Sequence, residues 1–279
     1  MRKKKASRLV GTSVLFVLLV LWILPFLLII VNSFKKKISI VKYPLQLVDE
    51  AGIQWNNYVK AINDMNFLRS FINSLFIAVV SVLILVILSS MSAYLFARKD
   101  WKICKISFSL LISSMVIPFQ VVMIPLLLLY GSKLQLLNSM WLMIFFNLGF
   151  CVSLGMFMCH GYIKTNIPRE LEEAAKIDGC NMLGCFLKII LPLLKPILST
   201  ITILNTIHIW NDYLLPSLVL RQQKLHTLTI ALRTFYGEFS NDYGSIMAGL
   251  VMLIIPIVIF FTIMQKQIIS GVMSGSVKS

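Results

Sequence analysis

Long apolar runs alternate with short polar segments along the whole chain. The first, Leu9–Val31, carries no charged residue. As a helix it spans roughly 34 Å, enough to cross the hydrocarbon core with some tilt. Five more runs follow at Ser70–Ala97, Ile106–Tyr130, Asn138–His160, Ile189–Leu215 and Ser245–Met264. Their lengths predict an all-α, polytopic membrane protein with six transmembrane helices. The leading MRKKKASR precedes an apolar core longer than that of a signal peptide, with no small-residue cleavage site, so it reads as an uncleaved first span.

One polar interruption differs from the others. Ile167–Pro196 reads IPRELEEAAKIDGCNMLGCFLKIILPLLKP and opens with Arg169, Glu170, Glu172, Glu173, Lys176 and Asp178. Pro168 suits the first turn of a helix, and Glu170, Glu172 and Glu173 suit its N-terminal dipole. Leu171, Ala174, Ala175 and Asp178 share a narrow face of mostly small residues. Gly179 predicts a C-terminal stop, and Asn181 predicts the cap of a second helix running into the next apolar block. The pattern predicts a small-faced helix held just outside the membrane.

Composition agrees with a membrane chain: 58% of residues are hydrophobic and the mean hydropathy is +0.86. The net charge of +15 belongs at lipid head groups, because the aromatic–basic interleaving of single-strand binders is missing; no nucleic-acid partner is expected. Most Lys and Arg fall in segments that are cytoplasmic if the N-terminus is, which predicts both termini on the cytoplasmic side of the membrane. Lys35, Lys36 and Lys37 run against that bias and read as side chains snorkelling to the interface. The outer segments Asn32–Arg69 and Pro216–Gly244 are large enough to fold into short helices and receive an external partner. Cys104, Cys151, Cys159, Cys180 and Cys185 form no CxxC pair and read as reduced structural thiols. His160 with Cys180 and Cys185 fits no zinc spacing, so no metal is expected.

Several chemistries are missing. Only Lys195, His208 and Asp212 bring ionisable groups near the spans, which argues against proton relays and coupled ion sites. Gly179 and Gly184 begin a Walker-like spacing, but Cys185 and Phe186 follow where Lys and Ser or Thr are required. None of the three histidines sits in a nucleophile motif. Uphill transport by this chain would need energy from another subunit, and the polar segment is where such a subunit could dock.

The residues resemble a known family. Glu173-Ala174-Ala175, three residues, Gly179, nine residues, Ile189, one residue, Leu191-Pro192 is similar to the EAA loop of ABC importer permeases. Asn73-Ser74, Ala93-Tyr94-Leu95-Phe96-Ala97-Arg98, Pro118–Leu126, Trp210-Asn211-Asp212-Tyr213 and the tail Gly271–Ser279 resemble the carbohydrate importers, the MalG-like subunit in particular. The resemblance covers nearly the whole chain. It implies the type I importer permease fold, a second and non-identical permease subunit, two ATP-binding subunits and an extracellular or periplasmic sugar-binding protein. It implies no catalysis and no cofactor on this chain, with ATP and Mg on the partner ATPase. It makes Glu173, Ala174, Ala175, Asp178 and Gly179 the coupling residues, and it suggests that the tail, at Gly275, Val277 and Lys278, contacts the ATPase. The implied divisions are 1–66, a first helix and outer segment; 67–265, the transport core with its coupling loop 167–196; and 266–279, a cytoplasmic tail. Trp210-Asn211-Asp212 reads equally as an interfacial anchor or a gate. No residue is assigned to the sugar. An ATP-independent facilitator, a docking scaffold and an importer of a non-sugar solute stay open.

Overall fold

The computed structural model describes the backbone of residues 2–50, 52–237 and 241–276, and within those stretches the side chains from 11 to 265. Every regular element among the described residues is a helix. In order the α-helices are α1 (Arg2–Asn32), α2 (Lys37–Lys42), α3 (Asn56–Asp64), α4 (Phe67–Arg98), α5 (Lys102–Ser114), α6 (Phe119–Leu126), α7 (Met140–Asn166), α8 (Glu170–Ile177), α9 (Met182–Cys185), α10 (Leu191–Leu193), α11 (Lys195–Asn211), α12 (Leu214–Val219), α13 (Leu228–Ala231) and α14 (Tyr243–Ser276).

Helices α1, α4, α7 and α14 are each long and apolar enough to cross a membrane. The other two expected spans are bent pairs. Lys102–Ser114 meets Phe119–Lys133 at 96°, and Met182–Leu193 meets Lys195–Asn211 at 74°; counting each pair as one span gives six. Ile106–Tyr130 is therefore not one helix, and the fifth span starts earlier than its apolar run, at Met182. Proline explains both breaks. Pro118 sits in extended backbone at ψ 140° and disfavours helix in the residue before it. Pro192 cannot donate to the carbonyl one turn back, and the turn before it widens to a π-helix over Phe186–Ile190. Pro196 repeats the effect at the start of α11.

The chain divides into two compact units, one made of Met1–Leu68 with Ala231–Pro256 and the other of Arg69–Ile230 with Ile257–Ser279. In the first, Phe34 meets Trp55 edge-on with ring centroids 5.0 Å apart. Ser33 Oγ lies 2.8 Å from the Tyr58 hydroxyl, and Asn57 Nδ2 donates to the carbonyls of Ser33 and Lys35 at 2.9 and 3.0 Å. Lys36 and Lys37 are exposed, but Lys35 is buried, so it does not snorkel. Its Nζ donates to Tyr43 O at 3.1 Å, meeting a carbonyl that the end of α2 leaves without an intrahelical partner.

The second unit is built on α4 and α7. The buried face of α4 is rich in small residues: Ser70, Asn73, Ser74, Ala78, Ser81, Ser89, Ala93 and Ala97 lie along it among Ile77, Val82 and Leu85. Small residues let membrane helices approach closely, and their hydroxyls bond across the gap. Asn147 Nδ2 of α7 donates to Ser81 Oγ at 3.1 Å, and Ser89 Oγ donates to Val152 O at 3.3 Å. One apolar core, around Leu85, Met156, Ile163, Ile190 and Ile201, packs α7 through α11 against α4. A second, around Ile77, Met143, Val219 and Leu220, packs α12 and α13 at the opposite end.

At that opposite end polar side chains clamp the connection from α12 to α13. Asn73 Nδ2 donates to the carbonyls of Lys224 and His226, both at 3.0 Å. Ser74 Oγ accepts from Leu228 N at 2.9 Å, and Asn138 Oδ1 accepts from Arg221 N and Gln222 N. Asn73→Ala is expected to remove two bonds worth about 1 kcal/mol each. The exposed Arg221 and Lys224 should then be cut by trypsin several-fold faster in membrane preparations. A cleavage rate equal to that of the parent chain would mean that Asn73 does not hold this loop.

Candidate coupling site

Helix α7 ends at Asn166. Ile167 then turns to extended backbone at ψ 102°, as a residue before proline must. Helix α8 starts at Glu170, two residues after Pro168. Its end is a complete Schellman motif: Gly179 N donates to Lys176 O at 3.0 Å, and Cys180 N donates to Ala175 O at 2.9 Å. Gly179 takes φ +80°, the left-handed region where a side chain is strained. Asn181 Oδ1 then accepts from Gly184 N at 2.7 Å and caps α9. The stop at Gly179 and the restart at Asn181 stand where the sequence places them.

The two faces of α8 differ sharply. Glu172 and Ala175 are buried, whereas Glu173, Ala174, Asp178 and Gly179 are exposed. On the exposed side Leu171 is 44% and Ile177 is 86% accessible. The predicted small face therefore splits: Ala174 lies outward with Asp178, and Ala175 packs into the α7–α11 core. Among the described residues Glu173 has no ion-pair partner.

The buried face carries residues that the spacing alone does not single out. Glu172 does more than face a helix dipole. Arg98 Nε donates to its Oε1, and the Tyr94 hydroxyl donates to its Oε2 at 2.9 Å. Arg98 Nη2 also donates to Ile167 O at 2.7 Å. The Arg98 and Glu172 side chains are 9% and 7% exposed. A pair this buried adds little net stability as it stands, but losing either partner strands a charge at about 3–5 kcal/mol. The Tyr94 ring packs against Phe186, centroids 5.5 Å apart. The signal for this cluster is the Arg that closes an apolar run, in a chain with an extra Glu ahead of the EAA triplet.

The other predicted positions fall as follows. Trp210 is 6% exposed and meets Phe71 edge-on at 5.9 Å, so it is a core residue and not an interfacial anchor. Asp212 Oδ1 accepts from Leu214 N at 3.0 Å, and Asp212 O accepts from Thr229 Oγ1 at 2.7 Å, so Asp212 shapes the turn into α12. Lys195 and His208 are exposed. The five cysteines are free thiols; Cys104, Cys151, Cys159 and Cys185 are buried and Cys180 is half-buried. Among the described residues no three His, Cys, Asp or Glu side chains gather as a metal site. Gly275 falls in the last turn of α14, and Val277 and Lys278 lie outside the described residues.

Residues 86–273, which hold Tyr94, Arg98 and all of α8, match the model of the binding-protein-dependent transport system inner membrane component. The chain belongs to that family. Its relatives within these transport systems include the probable starch degradation products transport permease AmyC of Thermoanaerobacterium thermosulfurigenes, 40% identical over 278 residues and 100% of each chain. The melibiose/raffinose/stachyose import permease MelC of Bacillus subtilis is 38% identical, over 91% of each chain. The fold of this inner membrane component is shared with the crystal structure of a bacterial ABC transporter involved in importing the acidic polysaccharide alginate. The TM-score is 0.80 at 24% identity, covering 95% of this chain and 98% of that one.

Proposed function

We propose that the chain is the membrane-spanning permease subunit of an ATP-driven, binding-protein-dependent sugar importer. In this reading it forms half of the translocation pathway beside a second, non-identical permease. The exposed face of α8 seats in a separate ATPase subunit on the cytoplasmic side, where both termini also lie. ATP and Mg are bound by that subunit, and an external binding protein delivers the sugar.

The observation that carries the reading is the face of α8. An isoleucine 86% exposed on a helix rich in charge, beside Leu171 and Ala174, costs free energy in water unless a partner covers it. The opposite face is fully engaged, so α8 offers a pre-formed surface. The bent spans support the pathway. Irregular backbone at membrane depth is tolerated only against protein or a water-filled cavity, and Ile117, just before Pro118, is 54% exposed. The exposed His208 supports it too, since an ionisable group avoids lipid. Sugar as the cargo rests on the relatives.

Purification through a tag on this chain tests the proposal. We expect a second permease and an ATP-hydrolysing subunit in the complex. Proteoliposomes of that complex, given the binding protein, should accumulate labelled oligosaccharides such as raffinose and maltotriose only with ATP inside the ATPase compartment. Passive sugar flux through the chain alone would contradict the reading.

A further inference from the structure

Helix α8 is short and hinged at both ends, at the extended Ile167-Pro168 and at the left-handed Gly179. Its backbone joints alone would let it pivot. Ala175 packs into the core on its buried side, and one turn of α4 adds the polar bonds that tie it down. Arg98 Nη2 holds Ile167 O ahead of α8 at 2.7 Å, Arg98 and Tyr94 together hold Glu172 in its middle, and the Tyr94 ring lies on Phe186 behind it. Tyr94 and Arg98 are four residues apart and so lie on one side of α4. At the other end of α4, Asn73 and Ser74 grip the backbone of Lys224, His226 and Leu228. The helix between the two grips has no proline. Its 32 residues make a rod about 48 Å long.

We propose that Tyr94, Arg98 and Glu172 form a strut through which displacement of α8 moves α4 as a rod, carrying it to the 220–228 loop. This rests on the coupling reading above. The three are positioning residues: they touch neither nucleotide nor cargo. A largely buried cluster of charge-assisted bonds suits the role because such bonds are strong in a low dielectric and resist shear. The paths through α7 and through α9 to α11 include the two hinges beside α8, whereas the strut bypasses both.

The test uses the intact transporter with its own ATPase, in the nucleotide-free state and trapped with ATP and vanadate. The readout is the rate of trypsin cleavage at Arg221 and Lys224, which are exposed and lie at the far end of α4. The parent complex should show a clear change in rate between the two states. Arg98→Lys keeps the charge but replaces the two separate donors, Nε and Nη2, with one nitrogen on a flexible stem, and Glu172→Gln keeps the shape without the charge. Both should reduce that change by roughly 2- to 30-fold, the range of a residue on a coupling route, while the ATPase still co-purifies and hydrolyses ATP. Tyr94→Phe removes one hydroxyl and leaves the ring on Phe186. It should fold and show a smaller reduction.

Wild-type responses in all three variants would overturn the strut, as would a parent complex whose far loop ignores the nucleotide state. Loss of ATPase co-purification in Tyr94→Phe would overturn it too, by assigning the cluster to docking. If the ATPase does not co-purify with the parent chain, the coupling reading itself fails, and the two failures are thus distinguishable.

Discussion

Gly155→Ala is expected to destabilise the second unit by about 1–3 kcal/mol, the usual cost of forcing a methyl group into a packed crossing. A Cβ at position 155 would lie 2.6 Å from Ser89 Oγ, 3.1 Å from Ser89 Cβ and 3.3 Å from Ile201 Cγ2. Ser89 can rotate its hydroxyl away only by giving up the bond to Val152 O, and its Cβ cannot move without α4. The crossing of α4 and α7 must therefore open. Ser89→Gly with Gly155→Ala moves the small residue to the other helix and should recover at least half of the loss. Equilibrium unfolding in detergent, run as a double-mutant cycle, measures this. Strictly additive losses would show that the two residues do not meet.

Ala174→Trp and Gly179→Leu are expected to abolish ATP-driven uptake while leaving membrane insertion intact. Position 174 is exposed on α8, so an indole there meets nothing in this chain but obstructs a close-fitting partner. At Gly179 nothing lies within 4 Å of an added Cβ. The cost inside the chain is the left-handed backbone alone, about 1–2 kcal/mol. The effect on transport should exceed the effect on folding at both positions, and the ATPase of the complex should stop responding to the binding protein. Ala175→Trp should behave differently. Its site packs into the core, so it should lower stability along with transport. Normal uptake by Ala174→Trp would remove α8 from the coupling surface.

The sequence makes the membrane architecture legible because a span must satisfy its own backbone and cover itself with apolar side chains. Hydropathy alone finds six segments. The caps of α8 and α9 are legible for a similar reason: Gly179 and Asn181 act within a few residues of themselves. Side chains whose partners are distant in sequence are not legible. Glu172 looks like one more helix-start glutamate until Arg98, 74 residues earlier, folds against it. Lys35 looks like an interfacial lysine until the carbonyls after α2 curl back over it. Trp210 reads equally as an anchor or a gate until Phe71 covers it. The bends sit at prolines that are plain in the sequence, but an apolar run through a proline reads as one span. Only the geometry reveals that Pro118 and the Pro192–Pro196 pair break theirs.

The central claim is that the exposed face of α8 docks on an ATPase subunit. A photo-crosslinking amino acid at Ile177, the most exposed large apolar side chain of that face, tests it in native membranes. The account predicts one dominant protein adduct, containing a nucleotide-binding ATPase subunit, that disappears when Ala174→Trp is added. An adduct only with lipid, or none while the transporter is active, would contradict it.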